Sequence, residues 1–174
     1  MWIAGSCVAL TRRLCSSGAV IPQRPQRPNC RMSRRRKIAP ALREQIATRA
    51  QHRCSYCRSP QLIGVPMVFD HVVPLAAGGE SVIENLCLSC YRCNEFKGAK
   101  SRVPDPETGT LVLLFHPCTQ SWRDHFDWSE DSLKIVAMTA CGRATIDALR
   151  LNDDRLVRAR QIWKLVGLHP PLEE

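Results

Sequence analysis

Along this chain the apolar positions fall into short runs, most of them closed by a proline, a glycine or a cluster of small polar residues. Pro40 suits the first turn of a helix, and Leu42, Ile46 and Ala50 recur every fourth residue behind it. The pattern predicts a helix reaching about His52 with a narrow apolar stripe. Residues 65–73 are apolar and β-branched and predict a strand. Residues 74–80, with Gly78-Gly79, predict a loop, followed by a short helical turn over 81–86 and a helix over 91–98. After Gly98 the character changes. Pro104, Pro106 and Gly109 predict a turn, 111–115 a buried strand and 133–139 another strand, introduced by Ser129, Glu130 and Asp131. Helices over 142–151 and 154–166 are expected to close the chain, the second with Leu156, Ala159 and Trp163 on one face. No internal repeat of useful length is present.

Residues 1–31 carry no such pattern. Small residues give way to Pro22, Pro25 and Pro28 interleaved with Gln and Arg, which reads as a disordered segment. Met32 opens a more ordered-looking stretch, so translation starting there is one expectation. A targeting segment, rich in Arg and Ser and lacking acids, is its rival. The expected organisation is a basic arm over 1–37, a compact domain over 38–100, and a C-terminal extension over 101–174 that packs on it.

With 174 residues, of which 44% are hydrophobic and only 6% aromatic, the chain can bury a core but has little bulky material for it. A metal staple would stabilise so small a unit. The net charge of +9 resembles a nucleic-acid signature until it is located. Residues 1–43 carry ten basic side chains and no acid, whereas 44–174 hold fifteen bases against sixteen acids. The excess therefore belongs to the arm, which can hold phosphates through counterion release or serve as a solvated tail. The apolar stretch at the start precedes its arginines, Arg12 and Arg13, unlike a secretion signal, and no segment approaches a membrane span. A soluble protein of a reducing compartment is expected, placed in the cytoplasm.

Ten cysteines are many for such a protein, and their spacing separates two explanations. Cys54-x-x-Cys57 and Cys90-x-x-Cys93 are two identical knuckles. A two-residue gap lets both sulfurs of a knuckle face one ion, and four thiolates at about 2.3 Å make a closed structural zinc site. Disulfide pairing is the alternative. Cys87 is a possible competing ligand or a small buried side chain, and Cys118 and Cys141 read as ordinary buried thiols. A zinc ion with four thiolates has no open position, so any chemistry must come from the residues between the knuckles. Asp70, His71, Asn85 and Asn94 sit there.

The run Phe69-Asp70-His71-Val72-Val73-Pro74, then Gly78-Gly79, Asn85-Leu86 and Cys90-Tyr91-Arg92-Cys93-Asn94-Glu95-Phe96-Lys97-Gly98, resembles the HNH endonuclease motif. Residues 111–171 are also similar, more weakly, to the tail of some bacterial members, through Trp122, His125-Phe126, Trp128-Ser129-Glu130 and Gly142-Arg143-Ala144-Thr145. The resemblance implies an α+β protein: a small ββα-metal core with a structural zinc, plus a C-terminal extension of strands and two helices. It implies that Asp70 and His71 end the first strand, that Asn85 lies near a second strand which the local pattern reads instead as helix, and that Asn94 starts the helix. It further implies that Asn85 holds His71 in place. Asn94 stands where many members have His, an accepted variant.

These roles fit phosphodiester hydrolysis. A neutral imidazole, with its ordinary pKa near 6.5, suits His71 as a general base toward water. Asp70 and Asn94 offer hard oxygen ligands that favour Mg²⁺ or Mn²⁺ over zinc. Neighbours on a strand point to opposite faces, so Asp70 and His71 can serve one phosphate only if the strand ends or twists there. Lys97 reads either as a phosphate contact or as a solvated helix face, and His116 and His125 as packing or surface residues. The expected function is a metal-dependent endonuclease acting on DNA, with RNA left open as the other substrate and a homodimer the simplest route to a double-strand cut. The alternatives are a non-catalytic zinc module that binds nucleic acid or protein, and a thiol oxidoreductase using the Cys-x-x-Cys pairs.

Overall fold

In the computed structural model, residues 38–62 and 64–171 are described. The basic arm over 1–37 and the question of a start at Met32 lie outside the described residues. The first helix, α1 (Pro40–Arg49), has proline at its N-terminal turn, as the sequence requires, and it buries Ile46 and Ala47. With Ala50, these residues form a small cluster against Leu86 and Leu88, and Leu42 packs at its edge.

Strand β1 (Met67–His71) pairs antiparallel with β2 (Leu86–Cys90), with Met67 opposite Cys90, Asp70 opposite Cys87 and His71 opposite Leu86. Helix α2 (Tyr91–Lys97) follows β2 without a break, giving a ββα unit. The helical turn expected over 81–86 is corrected: 81–85 form turns, and the chain then enters β2. Leu-Cys-Leu-Ser-Cys is buried at every position, with α1 on one side, so it shows none of the polar alternation that marks a half-buried strand.

The remaining chain forms two short hairpins and two helices. Strand β3 (Arg102–Pro104) pairs with β4 (Leu111–Leu113), and β5 (Phe126–Trp128) with β6 (Ile135–Ala137), both antiparallel. The buried strand expected over 111–115 is a second correction. Leu111 and Leu113 are 62% and 57% exposed, Val112 between them packs half-buried against the core, and the buried Leu114 and Phe115 lie beyond the strand. Helix α3 (Ala140–Leu149) is capped by Thr139 and α4 (Asp154–Leu165) by Asp153, whose side chains accept hydrogen bonds from Gly142 and Arg155 backbone N–H groups.

Among the described residues, four helices and small antiparallel sheets thus make a mixed α+β fold. One core cluster joins Cys54, Tyr56, Cys57, Cys90 and Cys93 to Phe115, Trp122, Phe126, Leu149 and Leu156 from the chain beyond Gly98. Gly142 sits where a Cβ would come within 2.3 Å of the His125 carbonyl oxygen, so only glycine lets α3 approach that closely. The next residues of the Gly-Arg-Ala-Thr run fasten the extension together. Arg143 forks onto Asp105 at 2.9 and 2.7 Å, holding that carboxyl down at about 2, Ala144 is fully buried, and the Thr145 hydroxyl accepts from Phe115 N–H at 3.0 Å. No helix among the described residues is long and apolar enough to cross a membrane.

Candidate functional site

The first knuckle follows α1. Arg58 N–H donates to Cys54 carbonyl oxygen and Cys54 N–H to that of Ser59, both at 2.9 Å, while Arg58 takes a left-handed backbone (φ 59°). Ser55 N–H donates to Leu88 carbonyl oxygen at 2.8 Å and hangs the knuckle on β2. The second knuckle spans the β2–α2 junction, where Cys90 sulfur accepts from Cys93 N–H at 3.4 Å and caps the helix. The four sulfurs of Cys54, Cys57, Cys90 and Cys93 are buried and lie within 4.8 Å of one another.

This donor set fits zinc. Zn–S bonds of about 2.3 Å in a tetrahedron put sulfurs about 3.8 Å apart, and Cys57 and Cys90 sulfurs stand at 3.7 Å. The thiols are also electrostatically incomplete by themselves. Burial raises Cys54, hydrogen bonding to the neighbouring sulfurs raises Cys93, and the same sulfurs hold Cys57 low. A cation at the centre lets all four deprotonate. Ser59, which the sequence did not single out, places its hydroxyl 3.0 Å from Cys57 sulfur. Cys87 lies outside the quartet: its thiol, raised by burial, turns toward Tyr56 hydroxyl at 3.7 Å. Cys118 and Cys141 are half-buried rather than buried.

Between the knuckles, β1 ends at His71. His71 Nε2 lies 2.8 Å from the Ser81 hydroxyl, a partner ten residues on that nothing in the sequence announced. Asp70 is buried. Its Oδ2 stands 3.1 Å from Lys97 Nζ, an ion-pair distance, yet no well-directed hydrogen bond reaches that oxygen. Burial raises the Asp70 carboxyl, and the Lys97 ammonium pulls it back down. Lys97 is therefore no solvated face. It is 2% exposed, and its ammonium also donates to the His71 carbonyl oxygen at 2.8 Å.

Asn85 closes the loop after His71. Its side-chain oxygen accepts from Val73 N–H at 2.8 Å, and its amide donates to the carbonyl oxygens of Val73 at 3.0 Å and Glu80 at 2.9 Å. Gly79 packs into this clamp so tightly that a Cβ would lie 1.9 Å from Val73 carbonyl oxygen. Asn94 is the fourth residue of α2, not its first, and stands half-buried one turn before Lys97 on the same face. Lys97 thus joins the Asp70 carboxyl to the His71 backbone carbonyl while the His71 ring meets Ser81, Asn85 acts through the adjoining backbone, and Asn94 lies one turn before Lys97 on α2.

Beside Lys97 opens a cavity of about 250 Å³ lined by Val72, Val73, Lys100, Phe115 and His116. His116 Nδ1 is buried there without a hydrogen-bond partner, and burial lowers its pKa. His125 is held by the Thr139 hydroxyl at 2.7 Å and by the Phe115 ring, a packing role.

No curated protein and no solved structure gives a significant match to the chain. Residues 54–100, from the first knuckle cysteine to just past α2, match the family model for HNH endonuclease.

Proposed function

We propose that this protein is an HNH-type endonuclease that hydrolyses DNA phosphodiester bonds with a histidine base and one divalent cation. Residues 38–100 form the nuclease domain and 101–174 an extension packed on it, acting in the cytoplasm. The observation that carries the reading is the buried Asp70 oxygen next to His71 at the end of β1, which stands at ion-pair distance from Lys97 but lacks a well-directed hydrogen bond. A buried carboxylate oxygen left in that state suits a cation ligand.

Asp70 and Asn94 would hold the cation, Mg²⁺ or Mn²⁺ given their oxygen donors. Bound there, the cation would supply positive charge to the phosphate and to the departing 3′ oxygen. His71 takes the proton from the attacking water, whose oxygen forms the new bond to phosphorus as the bond to the 3′ oxygen breaks. Ser81 fixes the imidazole ring. Lys97 holds Asp70 and the His71 carbonyl in one position, and Asn85 holds the backbone just beyond them. Cys54, Cys57, Cys90 and Cys93 would hold a zinc ion that ties the end of α1 to the β2–α2 junction and would take no part in the reaction.

Incubating the purified, zinc-loaded protein with supercoiled plasmid, single-stranded DNA and RNA, with and without Mg²⁺ or Mn²⁺, tests the proposal. Metal-dependent nicking of DNA is expected. Binding without cutting any of the three, in either metal, would mean a zinc module that binds nucleic acid.

A further inference from the structure

The cavity beside Lys97 lies where the ββα unit meets the C-terminal extension. One wall is Val72 and Val73, the two residues after His71, together with Lys97. The Lys97 ammonium stands 3.1 Å from the Asp70 carboxyl and 2.8 Å from the His71 carbonyl oxygen. The facing wall comes from the extension, with Leu113, Phe115 and His116. The cavity therefore shares Lys97 with the candidate site and begins one residue beyond His71. Val73 and Leu113, both exposed, stand at its mouth.

Size and lining narrow the occupant. A volume of about 250 Å³ falls just short of the roughly 300 Å³ at which drug-sized pockets begin, so a group of one or two rings fits. Walls of valine, leucine and phenylalanine suit a flat, weakly hydrated body and disfavour a bare charge. Two polar groups break that lining. His116 Nδ1 is buried without a hydrogen-bond partner, and burial lowers the pKa of the ring. A neutral imidazole nitrogen in that state can meet one donor or acceptor on an entering ring edge. Lys100 is exposed, and its ammonium, which donates to the Phe96 carbonyl oxygen at 2.8 Å, has further donors for a phosphate outside. An apolar chamber with one unmet polar atom inside and a cation outside matches a nucleotide with its base in and its phosphate out.

We propose that this cavity seats an unstacked nucleobase of the substrate strand, next to the scissile phosphate, so that unpaired DNA is the preferred substrate. Seating the base fixes the neighbouring phosphate beside Asp70 and His71. A base in a duplex reaches the cavity only by leaving the stack, and that cost is least for a nucleotide already unpaired. The C-terminal extension then supplies half of the substrate site. The proposal rests on the endonuclease reading.

The test uses a single-stranded oligonucleotide cut by the parent in Mg²⁺ or Mn²⁺. Once the cut is mapped, the nucleotides on either side of it are replaced, one at a time, by an abasic residue. At one position the missing base is expected to lower kcat/KM about ten-fold or more, within the range for one stacked base. Leu113→Trp places an indole at the mouth. Leu111→Trp, on the same exposed strand but outside the cavity, is its control. The losses from the abasic residue and from Leu113→Trp are expected not to add, because both remove one contact, whereas Leu111→Trp keeps the full abasic penalty. A fully paired linear duplex is expected to be cut about ten-fold or more slowly than the single strand. No abasic effect at either position, additive losses, a parental rate in Leu113→Trp, or a duplex cut as fast as the single strand would overturn the inference and leave the nuclease standing. A parent that cuts no nucleic acid in either metal defeats the endonuclease reading and this inference with it.

Discussion

Ser81 reaches the ring of His71 from across a loop, 2.8 Å from Nε2. Removing that hydroxyl leaves the imidazole in place but less constrained. Ser81→Ala is expected to lower the cleavage rate about three- to ten-fold, the equivalent of the ~0.5–1.5 kcal/mol of one hydrogen bond. Zinc content should not change, and an unaltered rate would remove Ser81 from the site. Lys97 makes a different kind of contribution. Its ammonium opposes the upward push of burial on the Asp70 carboxyl. In Lys97→Met only the His71 charge and backbone still oppose burial, so the carboxyl stays protonated to a higher pH and the acid limb of the pH–rate profile moves upward. A limb that stays put would contradict this coupling. Asp70, His71, Asn85 and Asn94 could be picked out in the sequence because they fall in a spaced motif. The contacts of Ser81 and Lys97 could not, since each depends on how a loop or a helix face meets β1.

At the scale of elements, the loop between β1 and β2 is set by one close approach. A methyl group on Gly79 would meet Val73 carbonyl oxygen at 1.9 Å and the Asn85 amide at 2.8 Å, so backbone must shift. Gly79→Ala is expected to destabilise the zinc-loaded protein by roughly 1–3 kcal/mol, the usual range for overpacking, and to lower cleavage because the Asn85 clamp is displaced. Denaturant unfolding at saturating zinc checks the first and plasmid nicking the second. Helices α1, α3 and α4 were legible from apolar spacing and proline, to within three residues at either end. Strand β2 was hidden because burial on all sides erases alternation. Strands β3 (Arg-Val-Pro) and β5 (Phe-Asp-Trp) lack the apolar run that marks β4 and β6, which are equally short.

For the whole molecule the zinc knuckles are the common anchor. They join the end of α1 to the β2–α2 junction, and the extension grips both. Binding energy in structural zinc sites amounts to about 10–16 kcal/mol in small peptides, comparable with the whole stability of a domain. Cys57→Ser, or a strong chelator, is therefore expected to abolish the near-ultraviolet dichroism of Trp122 and its neighbours together with cleavage. Retention of that signal in metal-free protein would show that the core stands without zinc. The quartet was readable from spacing alone, whereas the extension's part in it was not. The Gly142-Arg143-Ala144-Thr145 run could be noticed in the sequence, but its work is packing and an ion pair with a distant carboxylate, which no local pattern encodes.

The central claim is that His71, between the knuckles, activates water for strand cleavage. Its most direct test compares plasmid nicking by the parent and by His71→Ala, both carrying full zinc and showing the same circular dichroism, across Mg²⁺ and Mn²⁺ concentrations. Loss of a general base predicts a rate lower by about 10²–10⁴-fold at saturating metal. Equal rates for the two proteins would contradict the account.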